Sequence, residues 1–437
     1  MFGLPTTATA PFCPSEVRGT VSVAAGLPLW KKVMRFAGPG LLISVGYMDP
    51  GNWATDIEAG SRFGNALLFV VGLSSLAGII LQTLCARLGI VAERDLARLC
   101  RDEYKRPVAL MLWLFAEVAI VACDIAEVLG SALALQLLFK LPLWAGVVLT
   151  GFDTLIVLAL KGHGFRQLEA IVLGLVSTIA LCFLIELVLL APAWANVATG
   201  LLPQFQLAGD PQALYLAVGI IGATVMPHNL YLHSSVVQTR IIGKMMGSKR
   251  EAVWLATADI GVALLLAMFV NAAILITAAT AFHGTGHEAV TDIDEAYHLL
   301  EPLAGAGAAV IFGFALLASG QSSTFTGTLA GQVIMDGFLD LKIPCWQRRV
   351  ITRGLALIPA LIGVLWFGEG SVGRLLVLTQ VVLTLQLPFA LYPLIRFTGN
   401  TRLMGSFANG PILRLVAWAI FVIIVGANLA LLRQLAS

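Results

Sequence analysis

Two stretches of this chain are apolar enough to cross a membrane, yet each is interrupted by a proline set among polar groups. The first interruption is Asp49-Pro50-Gly51-Asn52, approached through Phe36 to Met48 and followed by the more polar Ala54 to Gly60. The second is Met226-Pro227-His228-Asn229, approached from Leu214 to Val225 and left through Leu230 to Val237. Proline supplies no backbone donor and clashes with the preceding turn, so each helix is expected to open there and free carbonyls and amides. Both quartets carry proline second and asparagine fourth, at matching places in two similar halves. Paired interruptions of this kind point to a transport site near the membrane midplane. The plain alternative is an ordinary proline kink. An aspartate beside one proline and a histidine beside the other favour a site, because ionisable groups at membrane depth are costly and generally functional.

Composition agrees with that reading. Of 437 residues, 58% are hydrophobic and only 12% charged, against about 25% charged in soluble domains. The expected class is therefore an all-α polytopic membrane protein. Eleven apolar spans fall near 36–57, 65–87, 108–138, 142–160, 167–191, 213–239, 253–281, 305–337, 347–367, 372–395 and 411–433. The net charge of +2 is not gathered into a block, so no nucleic-acid partner is expected. The six cysteines (Cys13, Cys85, Cys100, Cys123, Cys182, Cys345) lack paired spacing and are expected as free thiols. Residues 1–30 contain no uninterrupted apolar core followed by a cleavage site, and residues 1–35 are expected as a cytoplasmic tail.

Basic residues set the orientation. Lysines and arginines gather in the tail and in every second loop, while the opposite loops hold only Arg62, Lys140, Arg374 and Arg433 of the 27. The positive-inside rule then places the N-terminus in the cytoplasm and, after eleven crossings, the C-terminus outside. Spans one and six are five crossings apart, so two five-span halves, 36–191 and 213–395, would have opposite orientation. That is the requirement for a 5+5 inverted repeat, with 411–433 outside it.

The breaks offer a particular donor set. Asp49 supplies an anionic oxygen, Asn52 an amide oxygen and Met226 a thioether sulfur, and the opened turns near Gly46 and Ala223 add backbone carbonyls. Oxygens alone would suit Mg²⁺, Ca²⁺ or Na⁺, but a thioether gives those ions nothing. It tolerates Mn²⁺ and Fe²⁺ and attracts softer ions such as Cd²⁺. The alternative for Met226 is packing.

With these quartets, with Tyr231-Leu232-His233-Ser234 and with the small-residue run Gly320 to Thr328, the sequence resembles the Nramp family of divalent-metal transporters from about residue 36 to 433. The resemblance implies a leucine-transporter-like fold and movement of Mn²⁺ or Fe²⁺ with protons. It also implies Asp49, Asn52 and Met226 as side-chain ligands, with the Gly46 and Ala223 carbonyls serving in different conformations. Asn229 stands where many bacterial members have valine, and Trp53 where they commonly have phenylalanine; neither change removes a ligand.

Span three carries Glu117, Asp124 and Glu127, spaced to lie along one helical stripe. Three carboxylates cannot face lipid, so the stripe must face protein or water. One reading is structural pairing with arginines such as Arg348 and Arg349. The other is a proton relay from the metal site towards the cytoplasm, with Asp49 at its start. The resemblance places the positions of Asp124, Glu127, Arg348 and Arg349 on such a route. His228 and His233 have the unperturbed chemistry for proton exchange near neutrality, although a hydrogen-bonded core role is the alternative. Their spacing of five does not suit a zinc pair. In span ten, Gln380 is the candidate for a late ligand as the site closes, which the resemblance favours. Asp153, Glu186 and Asp259 receive no role.

Other classes fare worse. A sodium-coupled amino-acid carrier would need a carboxylate site where Asp49 already stands. A hydrolase lacks HExxH or GxSxG motifs, so no catalytic residue and no enzyme is expected. A channel would need a carbonyl-ring filter sequence. No ATP-binding motif or prosthetic-group motif is present. The expected partners are divalent metal ions, protons and the lipid bilayer, in a bacterial plasma membrane.

Overall fold

A computed structural model describes residues 19–436 except 24–25, 153–164, 205–206, 208, 242–245, 287–289, 305, 341–344 and 368–371. The described residues form eighteen α-helices and one two-residue parallel pairing of β1 (Val21–Ser22) with β2 (Arg240–Ile241). In order the helices are α1 (Leu29–Phe36), α2 (Pro39–Gly46), α3 (Pro50–Phe63), α4 (Leu68–Ala92), α5 (Leu96–Glu103) and α6 (Arg106–Phe139). Then follow α7 (Leu143–Thr150), α8 (Phe165–Leu190), α9 (Trp194–Gly200), α10 (Pro211–Thr224), α11 (Pro227–Val236) and α12 (Met246–Phe282). The last are α13 (Ile293–Ala304), α14 (Ala306–Leu339), α15 (Cys345–Phe367), α16 (Val372–Thr398), α17 (Thr401–Met404) and α18 (Pro411–Ala436).

Among the described residues, ten of the eleven expected spans are represented by helices, and the fourth only by its start, α7. Span one is α2 with α3, span six is α10 with α11, and each is broken at its quartet. Among the described residues, eight helical segments are long and apolar enough to cross a membrane, Pro50–Ala92 running through two spans as one. The fourth span, expected at 142–160, lies outside the described residues beyond 152. The broken spans pack with α4 and α12, while α6 lies along α14 and α16. Gly130 of α6 admits the Pro50 ring, because a Cβ there would overlap it.

Span one begins later than expected. Gly38 takes φ +139°, and Pro39 starts α2 behind it, so residue 36 belongs to a separate helix. A residue before proline avoids the helical region, and glycine alone accepts that φ readily. Helix α1 exposes Leu29, Trp30 and Met34 and also carries Lys31, Lys32 and Arg35, the composition of a helix lying at the headgroup layer. Eight residues are too few to announce such a helix by periodicity.

The junction between α1 and α2 is held by charged groups. Arg240 donates to the carbonyls of Phe36 and Ala37, both at 2.9 Å, and to Glu169 Oε1 at 2.7 Å. Arg166 donates to Ala37 O at 2.6 Å and Glu169 Oε2 at 3.2 Å. Asp259, which sequence left without a role, accepts from the amides of Gly40 at 2.7 Å and Gly38 at 3.3 Å, capping α2. Removing one partner of a buried ion pair typically costs about 3–5 kcal/mol. Arg240→Ala is therefore expected to loosen the α2 half of span one. On a cysteine-free background, Leu42→Cys should then react with a water-soluble maleimide faster by on the order of tenfold, equivalent to about 1.4 kcal/mol in opening. Equal labelling with and without Arg240 would show that the junction is not a latch.

Helix α16 tolerates Pro388 because its lost bond is replaced. The carbonyl four residues earlier, Thr384 O, accepts from Asn428 Nδ2 of α18 at 2.8 Å.

Candidate metal centre

The first break is formed by three residues that leave the helical ladder. Tyr47 and Met48 bond back to Ser44 and Val45 in a tightened turn. Asp49 then caps α3, its Oδ1 accepting from Asn52 N at 2.8 Å, with Pro50 at the first helical position. The carbonyls freed above it all find donors. Gly46 O takes Asn52 Nδ2 (3.3 Å), Tyr47 O takes Asn271 Nδ2 (2.7 Å), and Met48 O takes Trp53 Nε1 (3.2 Å) and Ser319 Oγ (2.5 Å). In the second break α10 ends at Thr224, and Met226 precedes Pro227 without any side-chain cap on α11.

The two breaks meet at Asn52. Its Nδ2 lies 2.6 Å from Asp49 Oδ1, 3.3 Å from Gly46 O and 3.1 Å from Ala223 O. An amide nitrogen has two protons and here faces three oxygens, one of them a carboxylate. Oxygens of both breaks thus converge on a point that favours positive charge. Asp49 Oδ2 is buried with no partner among the described residues. A Cβ on Gly46 would stand 3.2 Å from Met226 Sδ, which puts the thioether beside the same turn. A Cβ on Gly51 would fall within the Gln380 amide, and Gln380 Oε1 is likewise buried and unpartnered among the described residues. Asp49, Asn52, Ala223, Met226 and Gln380 are all buried, so this gathering is closed to solvent.

The span-three acids are buried as well. Met226 packs with Ala119, Ala122 and Cys123 of α6, and Cys123 Sγ lies 3.4 Å from Glu127 Oε1 and 3.5 Å from His228 Nε2. The acid stripe therefore adjoins the second break. Gly327 of the small-residue run lets α14 approach the stripe, since a Cβ there would lie 2.7 Å from Glu127 and 2.8 Å from Asp124. Glu117 accepts from Trp113 Nε1 at 3.0 Å, one helical turn away. The side chains of Arg348 and Arg349 lie outside the described residues, so the structure does not address their expected pairing.

His233 is 3.0 Å from Gln82 Oε1, and Gln82 Nε2 donates to the Tyr47 hydroxyl at 3.2 Å. An amide oxygen only accepts, so His233 Nδ1 carries the proton. This chain ties span six through span two to the first break. Sequence reasoning missed Gln82, Cys123 and Asn271. The signal was available for the two amides, each an isolated polar side chain in an apolar span. Glu186 is buried with neither oxygen partnered among the described residues, and no role emerges for it. Cys85, Cys100, Cys123 and Cys182 are free thiols.

A family model described as natural resistance-associated macrophage protein-like matches residues 40–434. The divalent metal cation transporter MntH of Ralstonia nicotianae is 62% identical over 432 residues, covering 99% of this chain and 98% of the relative. The solved Eremococcus coleocola manganese transporter is 39% identical with a TM-score of 0.88, covering 96% of this chain and 90% of that one. At 17% identity and a TM-score of 0.57, MhsT shares the fold alone, covering 89% of this chain and 98% of its own. These likenesses, with both spans broken as expected, give the chain the all-α leucine-transporter-like architecture with its 5+5 inverted repeat. By motif, fold and full-length similarity, the chain belongs to the Nramp family.

Proposed function

We propose that this divalent metal cation transporter of the Nramp family imports Mn²⁺, and with it Fe²⁺ and Cd²⁺, together with protons, by alternating access. The convergence of Gly46 O, Asp49 Oδ1 and Ala223 O on Asn52, with Met226 sulfur beside them, carries the reading. A cation among those oxygens repels the Asn52 amide protons, so binding turns the amide and presents Oδ1. That turn gives up the bond Asn52 Oδ1 now accepts from Asn271 Nδ2 at 3.3 Å. Asp49, Asn52, Met226 and the carbonyls of Gly46 and Ala223 hold the ion, and Gln380 joins as the site closes. The burial of all these groups fits a state between outward and inward opening.

Protons leave by the other side of the site. Asp49, His228, His233, Glu127, Asp124, Glu117, Arg348 and Arg349 form the route, supported by the Cys123 contact between stripe and break. Residues 36–191 and 213–395 act as the two inverted repeats, 1–35 as the cytoplasmic tail and 411–433 as an added span. The protein works in a bacterial plasma membrane with its N-terminus inside and its C-terminus outside. The reading requires no prosthetic group, ATP-binding domain or nucleic acid.

The test is ⁵⁴Mn²⁺ uptake by proteoliposomes under an imposed pH gradient, with a pH dye inside. Uptake should accelerate with external acidification and acidify the lumen. Metal uptake without any proton entry would refute the coupling. Asp124→Asn keeps shape and hydrogen bonding but cannot exchange a proton. It should bind Mn²⁺ as the parent does while proton influx falls to background, and an unchanged pH dependence would remove Asp124 from the route.

A further inference from the structure

We propose that the groove between α6, α16 and α18 is a binding site for an anionic phospholipid, with acyl chain in the groove and phosphate on Arg396. The groove has a volume of about 320 Å³ and is lined by Val108, Met111, Phe389, Tyr392 and Phe421, with Tyr104 at one end. Two features of α16 open it. Pro388 and Pro393 both line it, and their compact rings leave a shallow wall where longer side chains would fill the space. Phe115 stacks on Phe389 with ring centroids 4.2 Å apart, holding that ring against α6. Val108, Met111, Phe389 and Tyr392 each remain more than a third exposed. In a bilayer this surface meets hydrocarbon, so an acyl chain is its natural occupant.

The groove ends where charge begins. Arg396 lies with its guanidinium carbon 5.4 Å from the Tyr104 ring centroid, side chain exposed. Lys105 and Arg106 follow Tyr104 in the chain and are also exposed. Among the described residues none of the three cations has an ion-pair partner. Of the nearby carboxylates, Asp102 is engaged by Arg94 and Arg101, which leaves Glu103 against three cations. An apolar groove ending in net positive charge fits a lipid whose headgroup is anionic. Arg396 is suited to the phosphate because its planar fork gives two parallel donors, and its cation–π contact with Tyr104 keeps it at the end of the groove. A zwitterionic headgroup would bring its own cation to the same place. This inference stands on the groove and its rim, independent of the metal route.

Native mass spectrometry of the delipidated full-length protein, offered equal phosphatidylglycerol and phosphatidylcholine, tests it. The parent protein should retain phosphatidylglycerol several-fold over phosphatidylcholine. Arg396→Gln should remove that preference, and Val108→Trp, which fills the groove without altering charge, should lower retention of both lipids. Monodispersity and unchanged Mn²⁺ binding report that each variant is folded. Equal retention of both lipids by the parent would overturn the proposal. So would an undiminished preference in Arg396→Gln or undiminished retention in Val108→Trp.

Discussion

Asp49→Ala is expected to reduce saturable Mn²⁺ uptake to the level of protein-free vesicles and to abolish Mn²⁺ binding in calorimetry. Asp49 is the one anion among the converging oxygens, and its Oδ2 is buried without a partner among the described residues. A dipositive ion placed there without it would keep only neutral donors, and ions at membrane depth demand compensation. The substitution also removes the cap of α3. Loss of a cap costs only about 1 kcal/mol, so the helix should persist and the defect should be one of binding. Asp49→Asn separates the two effects, because its amide oxygen can still cap while its charge is gone. Asn should be as inactive as Ala with intact thermal stability. Saturable uptake near the parental level by well-folded Asp49→Ala protein would sink the site.

Met226 should govern which ions are admitted. Its sulfur is a poor partner for Mg²⁺ and Ca²⁺, which favour oxygen, and a better one for softer cations. Met226→Ala removes the sulfur and leaves room for a water oxygen beside Gly46. Cd²⁺ affinity should fall on the order of tenfold, about 1.4 kcal/mol, with a smaller loss for Mn²⁺ and newly measurable Mg²⁺ or Ca²⁺ transport. Because Met226 also packs against α6, truncation carries a stability cost of about 2–5 kcal/mol. Met226→Leu is the control, since it conserves volume at a cost usually below about 1.5 kcal/mol yet lacks sulfur. If the thioether is a ligand, Leu also loses Cd²⁺ preference. If competition by Cd²⁺ and Mg²⁺ against labelled Mn²⁺ is unchanged in Met226→Leu, the residue serves packing alone.

Much of this molecule is a local matter, which is why it can be read in one dimension. Apolar runs interrupted at Pro50 and Pro227 dictate broken spans, because a missing amide and a ring clash act within one turn of the proline. The capping role of Asp49 is equally local, three residues from the amide it accepts. Asp49, Asn52 and Met226 could be singled out from residue chemistry beside those breaks. What they touch could not. That one amide nitrogen of Asn52 reaches the carbonyl of Ala223, 171 residues away, depends on how span six lies across span one. The same holds for Asn271 at Tyr47, Cys123 between Glu127 and His228, and Gln82 between His233 and Tyr47. Asp259 shows the limit most plainly. In sequence it is an acid without purpose in an apolar span, and in the fold it caps a helix 219 residues earlier. Sequence pattern determines where backbone groups are left unsatisfied, because that follows from neighbouring residues. Tertiary packing decides which distant side chain satisfies each of them, because hydrocarbon supplies no water and the partner must come from another helix.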